Sequence, residues 1–582
     1  MSTIRYLACA AIDSSIFLST VETRSHGDSP MKKRTTTVAA ACAVLLGAPQ
    51  AHAGEIDVGN PDVALRWDNT VKLSAAARLK HADPVLLTNP NNDDGDRNFD
   101  KGLISKRLDW LTETDVVWRK QWGARLSAAA WYDSAYNTAN DNPGFPGGAF
   151  PNQVSVPANE FTDATRKLHG RKAEVLDVFV FGRFEIGDMN ASVRAGRHSL
   201  LWGESLFFGA NGIAGGQMPV DAVKLVSVPG TQFKEAIRPV PMVSAQLQVN
   251  DRVSLGAYVQ TSWAANRVPA VGSYFSSADL AIEGAERILT GPASAAPREA
   301  DQRPRNSGQG GLQLRLRGEE TDFGFYAIRF HNKTAQLVPR IVLLTPPAVP
   351  VPTAVPGAYY LAYHQGITAL GASASRTFGD FNVAVEASLR HNQDLASTQG
   401  ADTSSFTPVP ATNNTDNPGY AVGRTAHVNL STLATLPKTP LWREATLVAE
   451  VAWNRVLKVT KNAAALDPNG TRDGTALRLV LEPMYRGVLP GIDLGVPIGL
   501  GWAPKGSRPL AMTNPNMWVA DGGGDFTIGI NGSWRDSLRF SLGFTHFFGD
   551  GANFNDAATN AFTWKQALRD RDFVAASLRY SF

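Results

Sequence analysis

Residues able to do chemistry are plentiful in this chain, but they do not assemble into a reaction centre. No Gly-x-Ser-x-Gly or His-Glu-x-x-His run occurs in the 582 residues, so neither a hydrolase nucleophile nor a zinc-protease helix is signalled. His198, His331, His364 and His546 are scattered, and each reads as a structural hydrogen-bonding group. Asn91-Asn-Asp-Asp-Gly-Asp96 gathers oxygens as a calcium loop does, but its spacing departs from the alternate ligands of such loops, and clusters of this kind ordinarily make turns. The expected sets of catalytic residues, metal ligands and cofactors are therefore empty.

The charged residues that remain suit a wetted wall. Arg66, Arg107, Asp109, Glu113, Glu386, Arg390 and Glu450 recur on the polar side of segments that alternate with period two. Mixed signs can cross-pair and stiffen a wall, and they declare neither an anion nor a cation filter. A second set, Glu204, Asp221, Lys224, Glu235 and Arg238, is embedded in Gly203–Met242 among Leu206, Phe207, Phe208, Ile213, Met218, Val223 and Val226. That segment is too apolar for a loop in water.

The elements that position these residues are strands. In 63–79 the row Val63, Leu65, Trp67, Val71, Leu73, Ala75, Ala77, Leu79 opposes Arg66, Asp68, Thr70, Lys72, Ser74 and Arg78, with only Asn69 breaking the apolar side. Successive side chains of a strand point to opposite faces, so one face is greasy and the other polar. The pattern returns in 103–119, 381–391, 444–454 and 538–548. Many runs exceed nine residues, enough for a tilted strand to cross a bilayer.

Connections alternate between eight short turns, such as Gly379–Asp380 and Arg535–Ser537, and nine long loops, near 81–102, 135–173, 203–242, 265–309, 333–365, 392–421, 457–473, 503–523 and 549–570. This rhythm predicts an all-β fold: a closed antiparallel transmembrane barrel of about 18 strands with short periplasmic turns and long extracellular loops. Sixteen is the alternative, because 243–249 and 366–377 alternate poorly. Closure is a physical demand, since a sheet in lipid cannot leave backbone groups unpaired at an edge.

The N-terminal region reads as an address. Met31-Lys-Lys-Arg34, the apolar run Val38–Leu46 and Ala51-His-Ala53 form a secretory signal peptide over 31–53. Residues 1–30 add nothing to it and read as a non-native extension. Residues 54–582 are then the barrel, with 203–242 expected to fold into its lumen as the third long loop. Pro219–Leu225 is expected to make a short helical turn there; a loop packed over the mouth is the competing arrangement. Cys9 and Cys42 both precede residue 54, which excludes a disulfide framework or thiolate metal site from the barrel. The Pro-rich stretch 339–356 reads as a stiff loop tip.

The expected location is the outer membrane of a Gram-negative cell. Expected partners are outer-membrane lipid, a small-molecule solute, and the barrel assembly machinery through the terminal aromatic Phe582, which closes the row Val574, Ala576, Leu578, Tyr580. Nucleic acid is not among them, because 56 Lys and Arg against 53 Asp and Glu leave a charge of only +3.

Several stretches together resemble the proteobacterial outer-membrane family catalogued as domain of unknown function 1302. They are Arg66-Trp-Asp-Asn-Thr70, Asp93-Asp-Gly-Asp-Arg-Asn-Phe99, Gly196-Arg-His-Ser-Leu-Leu-Trp-Gly-Glu204, Pro229-Gly230 with Glu235, and Phe381-Asn-Val-Ala-Val-Glu386. The resemblance covers nearly all of 54–582 and rests on order and spacing. It implies an outer-membrane barrel without an agreed activity, in a family associated with handling of lipid, sterol and other hydrophobic compounds.

The function expected is a channel or transporter for small molecules, hydrophobic lipid- or sterol-like ones included. The apolar third loop favours that reading, and the charged walls favour the alternative, a general porin for polar solutes. An outer-membrane enzyme ranks below both, and the chain is not expected to be one. Strand one begins about ten residues after the cleavage site, which leaves no room for an N-terminal plug domain.

Overall fold

The computed structural model describes residues 54–144, 151–231, 233–344, 352–505, 520–535 and 537–582. The segments 1–30 and 31–53, with both cysteines, lie outside them, as do 345–351 of the Pro-rich stretch and most of the eighth long loop.

Eighteen antiparallel strands make one wall. They are β1 (Val63–Arg78), β2 (Gly102–Trp118), β3 (Trp122–Asp133), β4 (Arg171–Ile186), β5 (Met189–His198), β6 (Val240–Gln248), β7 (Val253–Gln260), β8 (Gln309–Arg317), β9 (Thr321–Phe330), β10 (Ile367–Phe378), β11 (Phe381–Asp394), β12 (Val422–Leu436), β13 (Glu444–Lys461), β14 (Asp473–Leu489), β15 (Ile492–Gly495 resuming at Ile498–Lys505), β16 (Gly524–Trp534), β17 (Leu538–Phe548) and β18 (Phe573–Ser581). The interruption in β15 falls at Val496-Pro497, where proline supplies no N–H to the ladder.

The wall closes where β1 pairs with β18, from Thr70 opposite Ser581 to Arg78 opposite Phe573. Asn69 and Phe582 exchange two backbone bonds of 2.8 and 2.9 Å at the seam. Beyond it, Gly54–Ile56 pairs with Leu65–Trp67 and carries the ladder past Phe582. The sheet therefore has no free edge in the apolar zone.

Alternation sets the faces. On β11, Val385 and Leu389 are exposed outward while Glu386, Ser388 and Arg390 are buried inward. Trp118 and Trp122 flank the turn 119–121, and Phe378 and Phe381 flank 379–380, all exposed. They ring the short-turn end with aromatic side chains, as an interfacial girdle requires.

The strands β6 and β10 are both present, which makes the count eighteen. Their weak alternation has a physical cause. Val240, Met242, Ile367 and Ala369 point inward, yet they pack with Trp202, Ile213 and Met218 of the third long loop. Their inner faces meet protein rather than water, so apolar residues are stable there.

The long connections are loop 1 (79–101), loop 2 (134–170), loop 3 (199–239), loop 4 (261–308), loop 5 (331–366), loop 6 (395–421), loop 7 (462–472), loop 8 (506–523) and loop 9 (549–572). Loop 5 carries a hairpin, Gln336–Leu344 against Thr353–Ala362. Phe99, Tyr136, Phe161, Tyr274 and Phe275 from loops 1, 2 and 4 form an aromatic cluster. Beside it Arg78 and Arg571, both fully buried, bind Asp96 at 3.0 and 2.8 Å. Arg78 also binds Asp570 at 2.7 Å, which ties loop 9 to loop 1.

Candidate functional site

Loop 3 leaves the wall at β5 and reaches β11, β12 and β13. Its first half, residues 203–213, is held by backbone groups. The Glu450 carboxylate accepts N–H bonds from Leu206 at 3.0 Å and Phe208 at 2.9 Å, a third from Phe207, and the Ser205 hydroxyl at 2.8 Å. Asn429 also donates to it, at 2.6 Å. The Glu386 carboxylate accepts the N–H of Glu204 and that of Ile213, each at 2.6 Å. Arg390 completes the clamp by donating to the carbonyls of Ala210, Asn211 and Gly212 at 2.9–3.0 Å. Two buried carboxylates thus satisfy N–H groups and one buried guanidinium satisfies C=O groups, so ions on the wall replace the water a loop backbone would need.

Local sequence explains the fit. Gly203 has φ +98°, and a Cβ there would run into the Glu386 carboxylate; at Gly212 it would lie 2.7 Å from the same group. Glycine is required at both positions for close approach, and at Gly203 for the backbone angle as well. Asn211 sits beneath, donating to Asn429 at 2.8 Å and accepting from Asn454 at 3.0 Å and from His427 at 2.9 Å. Phe207 and Phe208 pack on Val448, Ala452, Ala476 and Val480 of β13 and β14.

The second half of loop 3 is held by side chains. A short helix, Ala222–Ser227, is capped by Asp221, whose carboxylate accepts the Lys224 N–H at 3.1 Å. Arg267 of loop 4 lies between Asp221, at 2.9 Å, and Glu174 of β4. The Lys224 ammonium is 3.9 Å from Glu174 and 5.3 Å from the Trp131 ring centroid. Glu235 lies 4.0 Å from Lys72 and 3.9 Å from Arg579. Arg238 donates to the Ala265 carbonyl; its burial beside Arg267 lowers its pKa to about 10.

The five loop residues singled out from sequence therefore occupy separate places. Asp221 and Lys224 share one ion-pair group with Arg267 and Glu174, and Arg238 adjoins it. Glu235 faces the β1–β18 seam. Glu204 lies on the far side, 3.9 Å from Arg315 of β8. Of the wall residues, Glu386, Arg390 and Glu450 are brought together by the clamp. Arg107 pairs with Asp109 at 2.7 Å and with the His169 carbonyl at 3.1 Å. Arg125 pairs with Glu113 and with Asp115. Arg66 is largely exposed near the short-turn end, paired with Asp68 at 2.7 Å.

Sequence reading missed Gly203, Gly212, Asn211, His427 and Asn454. The Gly and Asn residues read as turn formers, and nothing in one sequence shows that a carboxylate two hundred residues away needs their backbone. The histidines named earlier make structural bonds: His198 accepts from Ser244 at 2.7 Å, His331 accepts from the Gly366 N–H at 3.0 Å, and His546 donates to Asp572 at 2.7 Å. His364 bonds the Tyr420 hydroxyl at 3.0 Å.

Above loop 3 the outer loops surround a cavity of about 1730 Å3. Trp263, Leu280, Ile282, Leu337, Tyr359 and Leu361 supply apolar wall, and Lys172, Arg238, Arg267 and Lys333 supply cationic wall. Elsewhere in the loops, Asp93, Asp94 and Asp279 lie with carboxylate oxygens within 4.8 Å of one another, the one trio among the described residues spaced to hold a cation. Burial raises all three carboxyls, Asp93 to about 6 despite Arg97 beside it.

The model of the family described as protein of unknown function (DUF1302) matches residues 34–582, and the chain belongs to that family. No curated protein matches it. Among solved structures, it is similar to OccAB1 of Acinetobacter baumannii, with 9% identity, 89% of this chain and 96% of that one covered, and a TM-score of 0.40. It is similar also to the outer membrane channel DcaP of Acinetobacter baumannii, with 8% identity, 91% and 100% covered, and a TM-score of 0.35. A third is OmpF of Salmonella typhi in complex with daunomycin, with 7% identity, 91% and 100% covered, and a TM-score of 0.35.

Proposed function

We propose that this outer-membrane-type barrel is a selective channel for small molecules, with loop 3 as its constriction. One observation carries the reading: the first half of loop 3 is bound through its backbone to Glu386, Arg390 and Glu450 on strands distant from its root. A loop fastened across an eighteen-strand bore narrows it, and Phe207 and Phe208 packed on the wall hold it there. The partly apolar cavity above the constriction favours solutes with an apolar portion over freely hydrated sugars. An outer-membrane location is supported by the exposed apolar band and by the aromatic side chains at the short-turn end.

Deletion of 210–236 tests the reading in planar bilayers. Conductance is expected to rise severalfold. An unchanged conductance overturns the constriction. Liposome swelling distinguishes the general porin: the intact protein is expected to pass disaccharides poorly, and rapid swelling would favour the porin instead.

A further inference from the structure

The cavity above loop 3 holds cations that its own acids do not neutralise. Three acids line it, Asp163, Glu283 and Asp301. Asp163 is taken by Lys167, and Asp301 binds Arg298 at 3.0 Å. Arg267 is paired with Glu174 and Asp221. Arg171, Lys172, Arg238, Arg303 and Lys333 remain, with Glu283 the one further acid of the lining. The Lys172 ammonium is 3.8 Å from Glu174, which Arg267 already occupies. Arg238 binds a carbonyl and no carboxylate among the described residues. Lys333 is buried, donates to the Gly216 carbonyl at 2.8 Å and lies 5.4 Å from the Phe330 ring centroid. Its charged neighbour is another cation, Arg390.

These groups belong to one surface. Asn266 donates to the Lys333 carbonyl at 2.9 Å, and the next residue back, Ala265, receives Arg238. The segment 264–268 therefore joins the Arg238 guanidinium to the backbone of Lys333, whose ammonium lies at the Gly216 carbonyl. Trp263, Leu337, Tyr359 and Leu361 line the same cavity. Burying a cation without a counter-charge is costly, and the cost is relieved when an anion arrives. The depression of the Lys333 ammonium to about 7 by burial fits a group lacking such a partner.

We infer that the cavity is a binding site for small amphipathic organic anions, a carboxylate head at Arg238 and Lys172 with the apolar body against Trp263, Leu337 and Leu361. The inference deepens the channel reading and rests on this cavity being the approach to loop 3. A bare inorganic anion would leave the apolar wall unused, and an uncharged hydrocarbon would leave the cations bare.

The test uses the full barrel purified in detergent, with calorimetry, and the same protein in planar bilayers. The probes are benzoate, decanoate, benzyl alcohol, decanol and chloride. Benzoate and decanoate are expected to bind at least about tenfold more tightly than the matching alcohols, and to interrupt the single-channel current. Arg238→Gln is expected to weaken carboxylate binding about tenfold or more while leaving alcohol binding unchanged. Lys172→Met, at a part-exposed side chain, covers the case in which a buried substitution prevents folding. Equal binding of acid and alcohol overturns the inference, as does carboxylate binding indifferent to the substitutions. Carboxylate binding by a protein that passes no current supports the site and overturns the channel; current that carboxylates never interrupt, with no calorimetric binding, does the reverse.

Discussion

The two halves of loop 3 are fastened by different physics. Residues 203–213 are bound mainly through main-chain atoms to ions fixed on the wall, with Gly203 and Gly212 allowing the close approach. Residues 219–238 are bound through their own side chains, Asp221, Lys224 and Glu235, to partners on β4, loop 4 and the seam. The first arrangement is an anchor with little freedom. The second is a set of pairs at 2.9–4.0 Å, in which a single side-chain substitution can shift the balance. A constriction built this way keeps one side constant and leaves the other adjustable.

The largest effect is expected at the anchor. Glu450→Gln removes the charge that receives three consecutive N–H groups and is expected to cost roughly 3 kcal/mol. Urea unfolding of the detergent-solubilised barrel reads the loss of stability, and bilayers read a raised, unstable conductance. A quiet channel of unchanged size would mean that the halves are not distinct. Gly203→Ala follows, since its Cβ meets the Glu386 carboxylate at φ +98°; about 2 kcal/mol is expected, by the same two measurements.

Arg267→Met comes next. It leaves Glu174 and Asp221 without their shared cation, and is expected to cost about 2 kcal/mol and to produce flicker in the single-channel current. A steady current would remove the distinction between fixed and adjustable halves.

The smallest effect concerns Asp93, Asp94 and Asp279, where loops 1 and 4 meet. Burial raises these carboxyls above the 3.8 of an unfolded aspartate, Asp93 to about 6. The folded state therefore holds its protons more tightly from about pH 4 upward, so stability falls as pH rises through the raised carboxyls, Asp93 at about 6, Asp94 at about 7 and Asp279 well above its ordinary value. Protease nicking of loop 1 is expected to be slower at pH 5 than at pH 8. Asp279→Asn is expected to flatten that difference, and an unaltered pH dependence would refute the assignment.

Much of the barrel was legible in the sequence because lipid imposes period two on every strand, and 54–582 carries it nearly throughout. Eight short turns and nine long loops stood out for the same reason. The exceptions, β6 and β10, alternate poorly because Ile213 and Met218 cover their inner faces, a contact that no local pattern encodes. The candidate site was legible in part. Glu386, Arg390 and Glu450 could be assigned to inward faces, but their convergence on one loop could not, because it joins residues 173 to 245 positions apart. Two family-like stretches, Gly196–Glu204 and Phe381–Glu386, prove to end on the same hydrogen bond, from the Glu204 N–H to the Glu386 carboxylate.

The seam has a kinetic consequence. Thr70 and Ser581, hydroxyls 3.0 Å apart, are separated by 511 positions, so the contact that completes the cylinder has one of the highest loop-closure costs the chain can incur. Non-local pairings of this span form slowly. Until they form, β1 and β18 each expose a row of unsatisfied N–H and C=O groups. A chain interrupted before Phe573 would retain that exposure permanently. Completion of the cylinder is thus the step that removes the sheet's last open edge.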